Sequence, residues 1–148
     1  MGFLSGMDIS GSALTAQRLR MDVIAENIAN AETTRTEDGE PYRRKRVIME
    51  PRNSEFAEML ARRAGGEERG SVTGGVRVTE IAEDESPFKL KYDPTHPDAN
   101  EDGYVELPNV DITQEMVDMI SAYRSYQANV TAFNAYKDMA QRALDIGK

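Results

Sequence analysis

From Asp111 to Ile146 the sequence reads DITQEMVDMISAYRSYQANVTAFNAYKDMAQRALDI, and this stretch decides the fold. Apolar residues recur along it every three or four positions, which predicts one long amphipathic helix. At about 1.5 Å per residue such a helix is roughly 50 Å long, more than a domain of this size needs to cover its own core. Asp111 or Thr113 is the predicted N-cap, and Gly147 marks the end.

Asparagine and glutamine side chains interrupt or flank the apolar stripe of this helix. The predicted members of the stripe are Met116, Met119, Tyr123, Tyr126, Val130, Phe133, Ala140 and Leu144. In or beside it lie Gln127, Asn129, Asn134 and Gln141. Because a buried amide is costly without a hydrogen-bond partner, Gln17, Gln127, Asn129 and Asn134 are expected to weaken premature association and to penalise wrong registers.

A second amphipathic helix is predicted over residues 10–31, near the other end of the chain. Its apolar stripe consists of Leu14, Met21, Ile24, Ile28 and Ala31. Gln17 is the polar exception. Residues 1–9 are short, contain glycine and are only weakly periodic, so we expect them to be flexible, with Ser10 or Ser12 capping the helix.

The middle of the chain predicts short strands and loops. Alternation of apolar and polar residues predicts strands over 42–50, 76–81, 88–92 and 103–107. A short helix is predicted over 55–64, and glycines predict a flexible connection over 65–71.

The fold class predicted from these patterns is mainly α with a small β insertion. Residues 1–34 carry the N-terminal segment and first helix, and residues 111–148 carry the C-terminal helix. The two helices are expected to pair as a discontinuous, coiled-coil-like core, with residues 35–110 as a β-rich middle segment.

The composition excludes several functional classes. The net charge of -8 argues against nonspecific binding to nucleic acid or anionic membranes. The absence of cysteine excludes disulfides and thiolate metal sites. No apolar run reaches the roughly 20 residues of a membrane span, and the first residues lack the basic and apolar regions of a cleavable signal peptide.

Residues with catalytic chemistry are few. His96 is the only histidine, and the prolines and aspartates of residues 93–98 around it predict a rigid turn. A metal site needs three or four converging ligands. The basic run Arg43–Arg46 predicts a strand facing solvent or another subunit, with anion binding as the alternative. We predict no catalytic, cofactor or metal site and no enzymatic activity.

Several motifs, in this order and spacing, resemble the rod and hook axial proteins of the bacterial flagellum. The motif positions are Asn27, Asn30, Asp93, Pro94, His96, Pro97, Pro108, Asn109 and Asp111. Further matching stretches are 38–43, 103–105, 115–120 and 123–130. Distal-rod and hook members usually continue the asparagine motif with an Asn-Thr-x-Gly turn. This chain has AETTR at 31–35 instead, which favours the proximal-rod branch.

This resemblance implies a structural subunit of the proximal rod, the drive shaft that crosses the periplasm. Family members leave the cytoplasm through the flagellar type III export apparatus without losing a signal peptide. Phe3 and Met7 match the spacing of the Phe-x-x-x-apolar export motif of such substrates. The implied partners are further copies of the chain, neighbouring proximal-rod and distal-rod subunits, and the base-ring junction protein. No cofactor is implied.

Both terminal helices are therefore expected to contact other subunits. The candidate packing residues are Leu14, Met21, Ile24, Ile28, Met116, Met119, Tyr123, Tyr126, Gln127, Asn129, Val130, Phe133 and Leu144. We expect the termini of the isolated chain to be mobile and to become ordered on assembly. The alternatives are another flagellar axial or adaptor protein, a small helical binding adaptor outside flagella, or an enzyme that uses the His96 loop.

Overall fold

The computed structural model describes residues 3–52, 63 and 74–146. In chain order its elements are α1 (Phe3–Ala29), β1 (Lys45–Pro51), β2 (Val76–Glu83), β3 (Lys89–Tyr92), β4 (Tyr104–Leu107) and α2 (Ile112–Ile146). The predicted class, mainly α with a small β insertion, is confirmed. The helix predicted over 55–64, the connection over 65–71 and the stop at Gly147 lie outside the described residues.

Helix α1 starts earlier than predicted. It begins at Phe3, so the expectation that residues 3–9 are flexible was wrong, and Ser10 and Ser12 are not caps. Ser10 is buried inside the helix. Ser12 donates its hydroxyl to the carbonyl of Ile9, one turn earlier, a bond that lets serine occupy a helix interior.

Helix α2 starts where one of the two predicted caps places it. Asp111 Oδ1 accepts hydrogen bonds from the N–H groups of Thr113 and Gln114 at 2.9 and 3.3 Å. Asp111 is therefore the N-cap, and its carboxylate also favours the positive end of the helix dipole. The alternative cap, Thr113, lies within the first turn.

The inward face of α2 is a heptad row. Its members alternate in steps of four and three residues, the spacing of a coiled-coil seam. They are the buried or half-buried residues Glu115, Met119, Ala122, Tyr126, Asn129, Phe133, Tyr136 and Ala140. The predicted stripe shared Met119, Tyr126, Phe133 and Ala140 with this row. Met116, Tyr123 and Leu144 of the predicted stripe lie outside this row and are 53%, 51% and 72% exposed.

The chain divides into two compact units, each with segments of both helices. Of the described residues, the first unit contains 3–18, 48–52, 63, 74–79 and 123–146. In it, Tyr136 lies so close to Gly6 that a Cβ on Gly6 would stand 2.6 Å from the tyrosine ring. Ser12 Oγ accepts a hydrogen bond from the Val76 N–H at 3.1 Å, which attaches the start of β2 to α1.

The second unit contains residues 19–47 and 80–122. Its core consists of the buried side chains of Val23, Ile24, Tyr42, Val105, Val110 and Ala122. Here the end of α1 lies beside the start of α2, since Arg20 forms an ion pair with Asp118 at 3.5 Å. Strands β3 and β4 pair antiparallel in this unit, with Leu90 opposite Glu106 and Tyr92 opposite Tyr104.

Strands β1 and β2 form the other two-stranded sheet. The Asp84 N–H donates to the Arg44 carbonyl beyond one end of the pair, and the Arg52 N–H donates to the Gly75 carbonyl beyond the other. This order of partners makes the pair antiparallel.

Candidate assembly site: a buried polar network and an exposed helix face

The side chain of Asn27 connects α1 to β1, α2 and the segment before β1. Its Oδ1 accepts hydrogen bonds from the Tyr42 hydroxyl at 3.0 Å and from the Lys45 N–H at 2.9 Å. Its Nδ2 donates to the Lys45 carbonyl at 2.9 Å and to Glu115 Oε2 at 3.0 Å. The hydrogen-bonding capacity of the amide is therefore filled, as a polar side chain that is 1% exposed requires.

Glu115 is a buried carboxylate with Arg44 as its counter-ion. The residue is 1% exposed, and its Oε1 accepts a hydrogen bond from Arg44 Nε at 2.6 Å. The other guanidinium nitrogens of Arg44 lie 3.6 Å from carboxylate oxygens of Asp84 and Asp118. A buried charge is tolerated when it is both paired and hydrogen-bonded, and Arg44 and Asn27 together meet both conditions.

Asn109 fixes the main chain of Arg44 from the other side. Its Oδ1 accepts a hydrogen bond from the Arg44 N–H at 2.8 Å. Its Nδ2 donates to the carbonyl of Asp84 at 2.8 Å and to the hydroxyl of Ser86 at 2.9 Å. Asn27 and Asn109, two positions of the sequence motif, thus lie on either side of the Arg44–Glu115 pair. The side-chain amide of each forms hydrogen bonds with main-chain groups.

The network shifts the protonation of its members. Burial raises the pKa of Tyr42 to about 12, helped by the negative charges of Glu26, Glu115 and Glu83. Hydrogen bonds from the N–H and hydroxyl of Ser86 hold the pKa of Asp84 below its usual value.

Arg44 remains charged despite its burial. Burial lowers the pKa of its guanidinium, but the hydrogen bond to Glu115 and the carboxylates of Glu115, Asp84 and Asp118 raise it by more. Arg44 and these three carboxylates form a charged structural network, and the phenol of Tyr42 beside it is neutral.

The members of the basic run, predicted to face solvent or another subunit or to bind anions, contact other residues of the chain, and the Arg46 side chain is also 58% exposed. The Arg43 guanidinium lies 4.4 Å from the centre of the Phe88 ring. Lys45 Nζ lies 2.7 Å from Glu26 Oε1, and Arg46 Nε lies 3.6 Å from Asp84 Oδ2. Since Arg44 pairs with Glu115, every member of the run has a partner in its own chain.

The histidine loop is a turn, as the sequence indicated. His96 Nδ1 accepts the Asp98 N–H at 3.1 Å. Asp98 in turn accepts the Thr34 hydroxyl at 2.8 Å and lies 3.8 Å from an Arg35 nitrogen. These bonds hold the loop against the segment that follows α1. Within residues 3–52, 63 and 74–146, no group of three or more histidine, aspartate or glutamate side chains is arranged to hold a metal ion.

The outward face of the first turns of α2 is apolar. Ile112, Met116, Val117 and Ile120 are 41%, 53%, 56% and 52% exposed. We call these four residues the α2 patch. Both acidic residues of the segment are used elsewhere, Glu115 in the buried network and Asp118 in ion pairs. The α2 patch therefore carries no charge of its own, which makes it a candidate interaction site.

The other candidate packing residues fall into two groups. Tyr123, Gln127 and Leu144 are exposed, as is Met116 of the α2 patch. The half-buried ones are Leu14, Met21, Ile28, Met119, Tyr126, Asn129, Val130 and Phe133. Ile24 is 5% exposed and belongs to the core of the chain itself.

The amides expected to set register between subunits make bonds within α2 in this structure. Gln127 Nε2 donates to the Tyr123 hydroxyl at 3.0 Å, and Asn129 Nδ2 donates to the Ser125 carbonyl at 2.8 Å. Of the export-motif pair, Met7 is half-buried in α1, and the side chain of Phe3 lies outside the described part of the chain.

The other motif positions are structural. Pro108 is fully buried, and Asn30 donates its Nδ2 to the Glu26 carbonyl at 2.9 Å at the end of α1. Asp93 accepts the Thr95 hydroxyl at 2.7 Å and thereby shapes the loop after β3, in which Pro94 and Pro97 also lie.

Sequence reasoning did not identify the roles of Glu115, Arg44 and Tyr42. A usable signal existed for Glu115, since it occupies the first position of the heptad row that Met119, Ala122 and Tyr126 continue. A charged residue at a seam position indicates a buried partner of opposite charge.

Comparison with known proteins gives two family matches. Residues 7–35 match the family described as "Flagella basal body rod protein". Residues 101–146 match "Flagellar basal body rod FlgEFG protein C-terminal". The first match lies mostly on α1, which carries Asn27, and the second covers β4 and α2 and includes Asn109 and Glu115.

Full-length relatives agree with these matches. The flagellar basal-body rod protein FlgC of Bacillus subtilis (strain 168) is 52% identical over 96% of each chain. The FlgC proteins of Borreliella burgdorferi and Escherichia coli O6:H1 are 49% and 43% identical, with 99% and 100% of this chain and 98% and 100% of theirs covered. This chain therefore belongs to the FlgC family of flagellar basal-body rod proteins.

Proposed function

We propose that this chain is a structural subunit of the proximal rod of the bacterial flagellar basal body, and that it polymerises through its terminal helices. Family membership supports a structural role in the rod rather than an enzymatic one. The single observation that supports the mode of assembly is the α2 patch, an uncharged apolar helix face left uncovered by the chain's own fold.

The polar network gives this patch a fixed support. Glu115 lies on the same two turns of α2 as Met116 and Ile120, but it points inward to Arg44 and Asn27. Because these bonds hold the start of α2 in one rotation about its axis, the α2 patch always faces outward. A helical filament needs contacts that repeat without closing, and a rigid patch suits such contacts better than a loop.

The partners we propose are further copies of the chain, neighbouring proximal-rod and distal-rod subunits, and the base-ring junction protein. Delivery through the type III export apparatus, with Phe3 and Met7 as the recognition pair, is part of the same proposal. The torque-transmitting shaft that results would lie across the periplasm. None of the described helices is long and apolar enough to cross a membrane.

The test is a pair of charge insertions on α2. In the double variant Met116→Glu with Ile120→Glu, two carboxylates enter the α2 patch without touching the inward row. We expect a folded, monomeric chain that no longer enters purified basal bodies, and cells that do not swim. The helix content of the purified variant, measured by circular dichroism, should match that of the unchanged chain.

The matched control is Ala128→Glu with Ala135→Glu, which adds the same charge to exposed positions of the same helix that are not packing candidates. We expect this variant to assemble and to support swimming. Normal assembly of the patch variant would refute the proposed contact, and loss of assembly in both variants would show that the effect is one of charge on α2 in general.

A further inference from the structure

The β3–β4 pair has an apolar face that nothing in the described chain covers. Leu90 and Tyr92 are both 65% exposed, and Tyr104 is 43% exposed. Because side chains alternate along a strand and direct cross-strand partners share a face, these three lie on one side together with Glu106. We call this side the hairpin face. The opposite side carries Val105, which is 2% exposed and anchors the pair to the core.

The hairpin face is rigid. The rings of Tyr92 and Tyr104 meet edge to face with their centres 5.3 Å apart. The connection between the strands is fixed by the Asp93 N–H donating to the Gly103 carbonyl and the Asn100 N–H donating to the Tyr104 carbonyl, both at 2.9 Å. A preorganised aromatic surface of this kind loses little entropy on binding.

The rim of the hairpin face is acidic. Glu106 shares the face, and Asp93, Glu101 and Asp102 lie in the connection that leaves Tyr92 and returns to Tyr104. The lysines of β3 lie on the other side, where Lys89 Nζ donates to the Val110 carbonyl at 2.7 Å. Arg35 lies near Tyr104 and Glu106 but is paired with Asp98 at 3.8 Å, so the rim is acidic in sum. An apolar centre with an acidic rim favours a partner with apolar side chains and the opposite charge.

Charge disfavours a second copy of the chain as this partner. The chain carries a net charge of -8. Its one basic run, Arg43–Arg46, is already engaged with Phe88, Glu115, Glu26 and Asp84 of its own chain. An acidic surface presented to another acidic molecule is repelled, so charge favours a different protein. Nucleic acid and anionic lipid are disfavoured for the same reason.

We propose that the hairpin face docks a basic segment of a different protein of the basal body, with an apolar side chain of that segment seated on Leu90 and Tyr92 and with lysines or arginines facing Glu101, Asp102 and Glu106. This contact rests on the proposed function, since it needs the chain to be part of the basal body. It is separate from the α2 patch, which is uncharged and lies on a helix.

The test places a photo-crosslinking amino acid, p-benzoylphenylalanine, at position 92 of the full chain in cells, with position 90 as a second site in a separate strain. After illumination, basal bodies are purified, and the joined peptides are identified by mass spectrometry. We expect a cross-link to a lysine- or arginine-containing segment of a different protein. The cross-link should fall about tenfold when the rim is reversed by Glu101→Lys, Asp102→Lys and Glu106→Lys together.

The matched control reverses the same number of exposed carboxylates elsewhere, with Glu32→Lys, Glu37→Lys and Asp38→Lys, and should leave the cross-link unchanged. Attachment to another copy of the chain, attachment to a glycan, or an equal loss in both reversal variants would overturn the proposal. So would the absence of any cross-link at both positions while the chain is present in the basal bodies by immunoblot. Absence of the unlabelled chain from basal bodies would instead overturn the proposed function.

Discussion

The side-chain amide of Asn27 takes the place of a main-chain amide. Its side-chain amide pairs with both the N–H and the carbonyl of Lys45, as a residue of a neighbouring strand would. No other side chain of similar size has both a donor and an acceptor in this planar arrangement. Aspartate in this place would lose the donor to Lys45 and would bring a negative charge against Glu115.

Removing this amide should be among the most costly single changes in the second unit. In Asn27→Ala, the Lys45 main chain loses its partners and the buried Glu115 loses a donor. We expect the free energy of unfolding to fall by about 3 kcal/mol, measured by urea unfolding followed by circular dichroism. Asn30→Ala removes an exposed bond to the Glu26 carbonyl and should cost less than about 1 kcal/mol. Equal losses in the two variants would contradict the role given to Asn27.

Tyr42 should make the fold sensitive to alkaline pH. The folded chain raises the pKa of its hydroxyl from 10.0 to about 12, so the fold favours the neutral phenol. The stabilisation is therefore present below pH 10 and is lost as the pH rises from 10 to 12. The loss is on the order of 2 kcal/mol, seen as a falling urea midpoint across that range.

The control for this dependence is Tyr42→Phe, which cannot ionise. It loses the hydrogen bond to Asn27 and is less stable at neutral pH, but its urea midpoint should fall less steeply between pH 10 and 12. All other ionisable groups are the same in both chains, so their contributions cancel in the comparison. Identical slopes for the two chains would assign the alkaline loss to other groups.

At the scale of the elements, α1 contains two glycines in opposite surroundings, one crowded and one open. A Cβ on Gly6 would stand 2.6 Å from the Tyr136 ring, whereas a Cβ on Gly11 would meet nothing within 4 Å. Gly6 therefore permits close approach of the two helices in the first unit. Gly11 only adds backbone freedom to the unfolded chain.

This difference yields a matched pair of variants. Gly6→Ala should destabilise the first unit by about 1–3 kcal/mol, because the Tyr136 ring must move. Gly11→Ala should stabilise the helix by about 0.5–1 kcal/mol. Amide exchange of α1 residues 5–18 would show faster exchange in the first variant and slower exchange in the second. Slower exchange in both would mean that the two helices do not meet closely at Gly6.

The elements show how far sequence patterns predict this fold. The helices, the strands near 76–83 and 89–92 and the Asp111 cap follow from local rules, because periodicity and capping depend on near neighbours. The inward row of α2 was displaced from the predicted stripe, because Glu115, Asn129 and Ala122 are not recognised as seam residues by hydrophobicity. The heptad spacing places Glu115 in the seam, but the identity of its partner Arg44, distant in sequence, cannot be predicted from a local pattern.

The start of α1 shows the same limit. Gly6, Ser10 and Ser12 are weak helix formers, so propensity predicted a flexible segment. The structure supplies what propensity omits, namely the Tyr136 ring against Gly6 and the Ser12 bonds to Ile9 and Val76. Tertiary contacts override local preference in this segment.

At the scale of the whole molecule, the buried apolar side chains of the described residues are divided unequally between the two units. Among the described residues, the buried apolar side chains of Val23, Ile24, Tyr42, Val105, Val110 and Ala122 belong to the second unit, and Ala16 belongs to the first. Since stability follows buried apolar area, the second unit is expected to be the more stable one. Mobile termini in the isolated chain remain a prediction that fits this distribution.

Amide hydrogen exchange on the dilute monomer would test the prediction of mobile termini. We expect residues 19–29 and 112–122 to exchange at least about tenfold more slowly than residues 5–9 and 137–146. In purified rods the difference should disappear, because assembly would cover both ends of the chain. Equal protection of all four segments in the monomer would contradict assembly-dependent ordering and would favour a self-contained helical adaptor.

The hydrogen bond between Asn27 and Glu115 joins residues 88 positions apart in the sequence, and this separation has a consequence for biosynthesis. While the ribosome is still working, Asn27 and Lys45 are already made but the carboxylate that completes their arrangement is not. An unfinished chain therefore lacks the partner of Arg44, and we expect the second unit to reach its full stability only after Glu115 has been added. We therefore expect a chain that ends before Glu115 to be digested by proteases faster than the full chain, so that the buried ion pair favours chains that carry at least the start of α2.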